Sequence, residues 1–153
     1  MHILIATDAQ WVLDEVQAAL GSPSTTIQVV TNGRLVAPTV AERTPDIAIL
    51  DLQVGSMGGM AITMDLRLDH SSGALPHVPV LMLLDRTADV HMARRSGADG
   101  WIIKPLDALR LRKAVTAIAG GGCYAEGIPV PAEEVIAEPI AEVIDESPVE
   151  TPA

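Results

Sequence analysis

Residues 45–52 read Pro-Asp-Ile-Ala-Ile-Leu-Asp-Leu, and the fold class follows from this stretch. Four consecutive apolar residues, 47–50, lie between two acids without any alternation of polar and apolar side chains. Alternation is typical of a strand with one face in water, whereas a continuous apolar run predicts a strand buried on both faces. Such strands form parallel sheets covered by helices on each side, so Asp51 is expected at the carboxyl end of a strand in an α/β fold.

Similar apolar runs recur at residues 3–6, 80–84 and 101–103, and a more polar run at 27–31 suits an edge strand. The stretches between these runs place apolar residues three or four positions apart, which is the spacing of helices. Pro38 lies early in the second of these helices and is expected to delay or bend it. Five strands and five helices predict a doubly wound, five-stranded parallel sheet with the flavodoxin-like order 2-1-3-4-5.

The regular pattern stops at Gly120-Gly121-Gly122, which divides the chain into two parts. Residues 1–119 are predicted to form one domain, and residues 120–153 a glycine hinge with an acidic tail rich in Pro, Glu and Ala. From Glu126 onward the tail contains eight acids and no bases. It also lacks any aromatic residue after Tyr124, so we expect it to be mostly disordered from that residue onward.

The composition narrows the class of protein. A net charge of −10 argues against direct DNA binding, and a length of 153 residues leaves little room for a fused DNA-binding domain. The single cysteine, Cys123, excludes an intramolecular disulfide. The N-terminus has no basic lead and no long apolar segment, so we expect no signal peptide, no membrane span and a cytoplasmic location.

Ligands of an open parallel sheet bind beyond the carboxyl ends of its strands. The residues at these ends are Thr7, Asp8, Asp51, Leu84, Asp85 and Lys104. Strands one and three would be neighbours about 4.8 Å apart, so Asp8 and Asp51 are expected to share Mg²⁺ with the backbone carbonyl of Gln53. Lys104 is long enough to reach the same pocket. This arrangement suits the transfer of a phosphoryl group to Asp51 as nucleophile, with the metal and Lys104 neutralising charge.

These residues and their flanking motifs resemble the response regulator receiver family along residues 1–119. The motifs that carry the resemblance are Ile3-Leu4-Ile5 before Asp8, Asn32-Gly33, residues 45–52, Met57-Gly58-Gly59, Pro79-Val80-Leu81-Met82, Gly97-Ala98-Asp99-Gly100 and Lys104-Pro105. In that family the residue matching Asp51 accepts a phosphoryl group from a histidine kinase, the acid matching Asp8 holds Mg²⁺, and the Lys-Pro bond is usually cis. The resemblance implies a CheY-like fold and a role in two-component signalling.

Two positions depart from the family's pattern, which makes this an atypical receiver. Thr7 stands where the family has the first of two adjacent acids, so the cation site is one carboxylate short. Leu84 stands where the family has Ser or Thr, and leucine cannot donate the hydrogen bond that couples phosphorylation to the neighbouring helix. Trp101 matches the aromatic residue of that switch, although ordinary packing explains it equally well. Asp8 also fits the N-cap of the first helix.

The leading hypothesis is a single-domain response regulator of a two-component phosphorelay. It would accept a phosphoryl group on Asp51 from a histidine kinase or phosphotransfer protein and signal by contact with a downstream protein. The sequence leaves open whether it forms a homodimer. A partner face is predicted on the last two helices and strand five, where five of the ten bases gather: Arg94, Arg95, Arg110, Arg112 and Lys113. We also hypothesise that the acidic tail folds back transiently on this face and competes with a partner.

Two rival hypotheses belong to other classes. The first is a phosphorylation-independent pseudo-receiver that serves as a constitutive protein-binding module, which Thr7 and Leu84 favour. The second is an independent phosphatase or hydrolase, and it is the weaker because the motifs provide no separate substrate cleft. Under the leading hypothesis, the protein has no enzymatic activity other than its own phosphorylation and dephosphorylation at Asp51.

Overall fold

Five parallel strands form the centre of the molecule. The computed structural model describes residues 1–127. The strands are β1 (His2–Ala6), β2 (Thr26–Val30), β3 (Ile47–Asp51), β4 (Val80–Leu84) and β5 (Gly100–Ile103). They pair in the order β2-β1-β3-β4-β5, and every pair is parallel. The predicted topology is therefore confirmed, including the edge position of the more polar strand β2.

Within residues 1–127, four helices connect consecutive strands and a fifth follows β5. They are α1 (Gln10–Leu20), α2 (Val36–Glu42), α3 (Gly59–Ser71), α4 (Val90–Ser96) and α5 (Ala108–Ala119). A short 3-10 turn, Gly33–Leu35, precedes α2, so Pro38 falls in the first turn of that helix. Proline is tolerated there because the first-turn N–H groups have no intrahelical partner. The start of α2 at Val36 confirms that this helix begins late. Within residues 1–127, no helix is long and apolar enough to cross a membrane.

The helices cover both faces of the sheet, which explains the continuous apolar runs. Ile5, Ile49 and Leu83 face α1 and α5 in one cluster, whereas Leu4 and Leu50 face α2 and α3 in another. All five side chains are fully buried. Burial of one such side chain contributes roughly 1.5–3 kcal/mol. The core therefore holds the strand ends, and the polar residues that follow them, on a rigid platform.

The chain beyond α5 differs from the expectation of disorder from Tyr124 onward. Residues 124–127 lie beside β5, and Tyr124 forms an isolated parallel bridge with Gly100. The bridge forms because Trp101 N–H donates to the Tyr124 carbonyl at 2.9 Å. The rest of the predicted acidic tail, residues 128–153, lies outside the described residues.

Candidate functional site

The carboxyl ends of four strands bring polar side chains together at one edge of the sheet. Asp51 is the last residue of β3, while Thr7, Asp85 and Lys104 directly follow β1, β4 and β5. Asp8 directly follows Thr7 in the sequence. Because all strands are parallel and β1, β3, β4 and β5 are consecutive neighbours, these residues lie on the same side of the molecule.

Asp51 is the buried centre of this pocket, with only 2% of its surface exposed. Its Oδ1 accepts hydrogen bonds from Lys104 Nζ at 2.8 Å and from the Gln53 backbone N–H at 3.2 Å. Its Oδ2 accepts a hydrogen bond from the Thr7 hydroxyl at 2.9 Å. A buried carboxylate needs such donors to replace the water it has lost. The predicted pairing of Asp51 with Lys104 is thus present.

Thr7 has a role that the sequence did not reveal. The sequence analysis treated Thr7 as a missing acid, but its hydroxyl donates to Asp51 and also accepts from the Ala9 backbone N–H at 3.1 Å. A hydroxyl can do both because it carries one proton and two lone pairs. Thr7 therefore replaces a second negative charge with a donor to the buried carboxylate and anchors the start of α1.

Asp8 lies at the rim of the pocket and is exposed. Its Oδ2 accepts a hydrogen bond from the Gly55 backbone N–H at 3.1 Å. A Cβ on Gly55 would lie 3.0 Å from the same oxygen, so glycine permits this close approach. The N-cap of α1 is Ala9, without a capping side chain, so Asp8 does not cap the helix. Its carboxylate is directed to the loop that follows β3 instead.

Lys104 is shared between two carboxylates. Its Nζ lies 2.8 Å from Asp51 Oδ1 and 3.0 Å from Asp85 Oδ1. Burial by itself would lower the pKa of Lys104, but its hydrogen bonds and attraction to both carboxylates raise the pKa above the usual value. The ammonium group also lies 5.5 Å from the centre of the Trp11 ring. The Lys104-Pro105 peptide bond is cis.

The donor set fits Mg²⁺. Within residues 1–127 there is no cluster of three or more His, Cys, Asp or Glu side chains placed to hold a metal. A cation at this edge of the sheet would have two carboxylates available, Asp51 at the end of β3 and Asp8 just beyond the neighbouring strand β1, and the Thr7 hydroxyl already donates to one of the two lone pairs on Asp51 Oδ2. Mg²⁺ takes one or two carboxylates and keeps several waters. The Gln53 carbonyl stays a predicted third ligand.

The two predicted switch residues lie in one apolar cluster, beside Val90 and Ala93 of α4. Leu84 is fully buried and Trp101 is 6% exposed. The Trp101 indole N–H donates to the backbone carbonyl of Glu126 at 2.8 Å. Leu84 therefore places an apolar side chain where the family has a hydroxyl. Trp101 lies against α4 and is hydrogen-bonded to Glu126.

The five bases of the predicted partner face differ in their contacts within the chain. Arg110 donates to Asp107 and to Glu126, so its charge is used within the chain. Arg112 Nε donates to the Ala19 carbonyl at 2.9 Å and is therefore directed toward α1. Arg112 is nevertheless exposed, as are the other three bases of the predicted face: Arg94, Arg95 and Lys113. Among the described residues, Arg110 is the one of these five bases that pairs with acids, and the partner face on the last two helices and strand five stays a prediction.

Comparisons with known proteins agree with the fold. The model of the response regulator receiver domain matches residues 3–116. The chain is 29% identical over 134 residues to the transcriptional regulatory protein CseB of Streptomyces coelicolor, which covers 82% of this chain and 55% of CseB. It is 25% identical over 120 residues to protein PilH of Pseudomonas aeruginosa, covering 78% of this chain and 98% of PilH. The chain thus spans about half the length of the curated transcriptional regulator CseB and nearly all of PilH.

A solved structure shares the fold. The receiver domain of the sensor histidine kinase PA1611 from Pseudomonas aeruginosa, solved with a magnesium ion coordinated in its active site cleft, superposes with a TM-score of 0.66. The two chains are 18% identical, and the match covers 78% of this chain and 98% of the other.

Proposed function

Because this chain belongs to the response regulator receiver domain family, we propose that it accepts a phosphoryl group on Asp51 and signals through protein contact. The observation that carries the proposal is the 2.8 Å pair between Lys104 Nζ and Asp51 Oδ1, whose side chains are 10% and 3% exposed. A buried carboxylate beside an ammonium group combines a nucleophile with a positive charge for the incoming phosphoryl oxygens.

The proposed donor is a phosphohistidine of a histidine kinase or phosphotransfer protein. An Asp51 carboxylate oxygen attacks phosphorus, an O–P bond forms, and the P–N bond to the donor breaks with the electron pair going to the histidine nitrogen. Lys104 keeps its proton and neutralises charge on the phosphoryl oxygens. Water later attacks phosphorus, which breaks the O–P bond, releases inorganic phosphate and restores the carboxylate. The protein is phosphorylated only between these two steps, and this temporary state is the proposed signal.

Mg²⁺ is the proposed cofactor, held by Asp8, Asp51 and the Gln53 carbonyl. When bound, the ion would supply further positive charge to the phosphoryl oxygens. The magnesium ion in the active site cleft of the PA1611 receiver supports the choice of Mg²⁺ as the ion. Thr7 would contribute a hydrogen bond to Asp51 Oδ2 in place of a further acidic ligand.

The test is the reaction of the purified protein with acetyl phosphate and Mg²⁺, followed by intact mass. We expect a gain of about 80 Da, the mass of one phosphoryl group, that disappears when Mg²⁺ is chelated. Asp51→Asn should abolish the gain, whereas Asp14→Asn, which removes an exposed carboxylate of α1, should leave it unchanged. An equal gain in the Asp51→Asn variant would place the reaction elsewhere and contradict the proposal.

A second candidate function is a phosphorylation-independent binding module. Leu84 favours it because a fully buried leucine cannot bond to a phosphoryl oxygen. Under this alternative, no mass gain appears in the same experiment, and Asp51→Asn leaves the affinity for a partner protein unchanged. A partner whose affinity changes with phosphorylation of Asp51 would exclude the alternative.

A further inference from the structure

Trp11 is a large aromatic residue beside the pocket to which the proposed reaction assigns no role. It is the second residue of α1 and is 50% exposed. The buried residues of the same helix are Val12, Val16 and Ala19, so Trp11 lies outside the core. The centre of its ring lies 5.5 Å from Lys104 Nζ, within the range of about 6 Å over which an aromatic face attracts a cation.

The start of α1 determines where this ring lies. Side chains of a helix lean toward its N-terminus, and the N-terminus of α1 follows the carboxyl end of β1, where the pocket is. The Ala9 backbone N–H donates to the Thr7 hydroxyl at 3.1 Å, and Val12 is fully buried in the core. Contacts on both sides of Trp11 therefore fix the first turn of α1 and keep the ring beside the pocket.

The Lys104 ammonium group has three N–H donors, and two of them are used by carboxylates. Nζ donates to Asp51 Oδ1 at 2.8 Å and to Asp85 Oδ1 at 3.0 Å. In the part of the chain that the structure describes, no third acceptor is hydrogen-bonded to Nζ. The negative face of an indole ring attracts a cation without carrying a net charge. Trp11 is therefore an uncharged third neighbour of the ammonium group.

An uncharged neighbour suits the change of partners that phosphoryl transfer requires of Lys104. In the proposed reaction an Asp51 oxygen becomes bonded to phosphorus, and the Lys104 N–H groups turn to the phosphoryl oxygens. Asp85 attracts the same ammonium group as an ion pair, so it competes with the phosphoryl oxygens. Trp11 attracts the ammonium group without using a hydrogen-bond acceptor, so the N–H groups can change partners while the cation stays beside Asp51.

We propose that Trp11 is a positioning residue that holds the Lys104 ammonium group beside Asp51 for phosphoryl transfer. The inference rests on the proposed function, because Lys104 contacts the phosphoryl oxygens in that reaction and Trp11 acts through Lys104. A partly exposed contact between a cation and an aromatic ring corresponds to a factor of about two to five in rate. Simple shielding of the pocket from water would instead need only apolar bulk at this position.

The test is the initial rate of reaction of the full-length protein with acetyl phosphate and Mg²⁺, followed by intact mass. We expect Trp11→Leu to react about threefold more slowly, because leucine keeps an apolar side chain and favours a helix but has no aromatic face. Trp11→Phe should keep at least about half of the unmodified rate, because phenylalanine retains such a face. Leu68→Ala, which removes a side chain 66% exposed on α3, is the control and should leave the rate unchanged.

The coupling between Trp11 and Lys104 can be measured without any phosphodonor. Urea unfolding of Trp11→Leu, Lys104→Met and the double variant forms a double-mutant cycle, which isolates the interaction of the two side chains. We expect Trp11→Leu to raise the unfolding equilibrium constant about threefold more in the Lys104 protein than in the Lys104→Met protein. If Lys104→Met does not fold, the comparison of the Leu and Phe variants at position 11 still decides the question.

Three results would overturn the role of Trp11 while leaving the proposed function intact. They are equal rates of Trp11→Leu and the unmodified protein, equal slowing by leucine and phenylalanine, and additive effects in the double-mutant cycle. If instead the unmodified protein shows no mass gain that requires Asp51, the proposed function fails, and the role of Trp11 in phosphoryl transfer fails with it.

Discussion

The Thr7 hydroxyl donates a hydrogen bond to Asp51 Oδ2 at 2.9 Å, and both residues are buried, with 2% of each exposed. We expect Thr7→Val to reduce the free energy of unfolding by about 1–3 kcal/mol, the cost of removing a hydrogen-bond partner from a buried carboxylate. Urea unfolding measures this difference. Thr7→Ser keeps the hydroxyl and is the matched control. Equal stability of the Val and Ser variants would contradict this role of the hydroxyl.

Lys104 predicts a specific dependence of stability on alkaline pH. Its pKa is raised in the folded state, so folding favours the protonated form. That contribution is complete below the usual pKa of 10.5 and is lost as the pH rises through the folded-state pKa. Lys104→Met should therefore destabilise the protein by about 3 kcal/mol near neutral pH, because Asp51 loses its cation.

The measurement is urea unfolding of both proteins across the alkaline range. The difference in the free energy of unfolding between the unmodified protein and Lys104→Met should shrink above pH 10.5. Lys113→Met removes the exposed lysine of α5 and should show a difference near zero throughout. If the loss of unfolding free energy in Lys104→Met stays constant across the alkaline range, charge pairing is not the cause of that loss.

Asp85 is predicted to slow phosphorylation. Its carboxylate lies 3.0 Å from Lys104 Nζ, so it shares the cation that the phosphoryl oxygens need and adds negative charge to the pocket. Asp85→Asn should increase the initial rate of reaction with acetyl phosphate by about threefold, equivalent to a charge interaction below 1 kcal/mol near water. Initial rates come from intact mass, with Asp14→Asn as control. A slower reaction would mean that Asp85 positions Lys104 for the transfer.

Leu84 is predicted to stabilise the core at the expense of a phosphoryl contact. Leu84→Thr should lower the free energy of unfolding by about 2–4 kcal/mol, because it removes packed carbon atoms and buries a hydroxyl. Leu68→Thr, at a position 66% exposed on α3, should change stability little. Chemical unfolding of both variants tests the difference, and similar losses at the two sites would disprove it.

The same substitution tests the readout of phosphorylation. In a Trp11→Phe background, where Trp101 is the remaining tryptophan, acetyl phosphate should change the fluorescence more in the Leu84→Thr protein than in the Leu84 protein. The reason is that threonine can bond to a phosphoryl oxygen beside the cluster that contains Trp101. Trp11 must be removed because its ring lies 5.5 Å from Lys104 Nζ and would report on the pocket directly. Identical fluorescence changes would assign the readout to another path.

Residues 45–52 and the related apolar runs were sufficient to predict the sheet and the place of its site. A continuous apolar run that helices separate from the next run predicts a buried strand of a parallel sheet. Parallel strands then place their carboxyl ends at one edge of that sheet. Asp51 and Lys104 could therefore be brought together from strand order alone. Their 2.8 Å contact spans 53 residues of sequence, yet it follows from topology and the length of a lysine side chain.

The orientation of the other polar side chains depends on partners that are distant in sequence, and only the folded structure supplies those partners. Thr7 bonds to a residue 44 positions away, and Glu126 bonds to the backbone of a residue 23 positions away. No periodicity or local motif encodes such pairs, because a hydroxyl or carboxylate binds whichever donor or acceptor the packing places beside it. The acidic composition after Tyr124 indicated a solvated tail, whereas the close approach at Gly100 and the fixed guanidinium of Arg110 make its first residues part of the sheet.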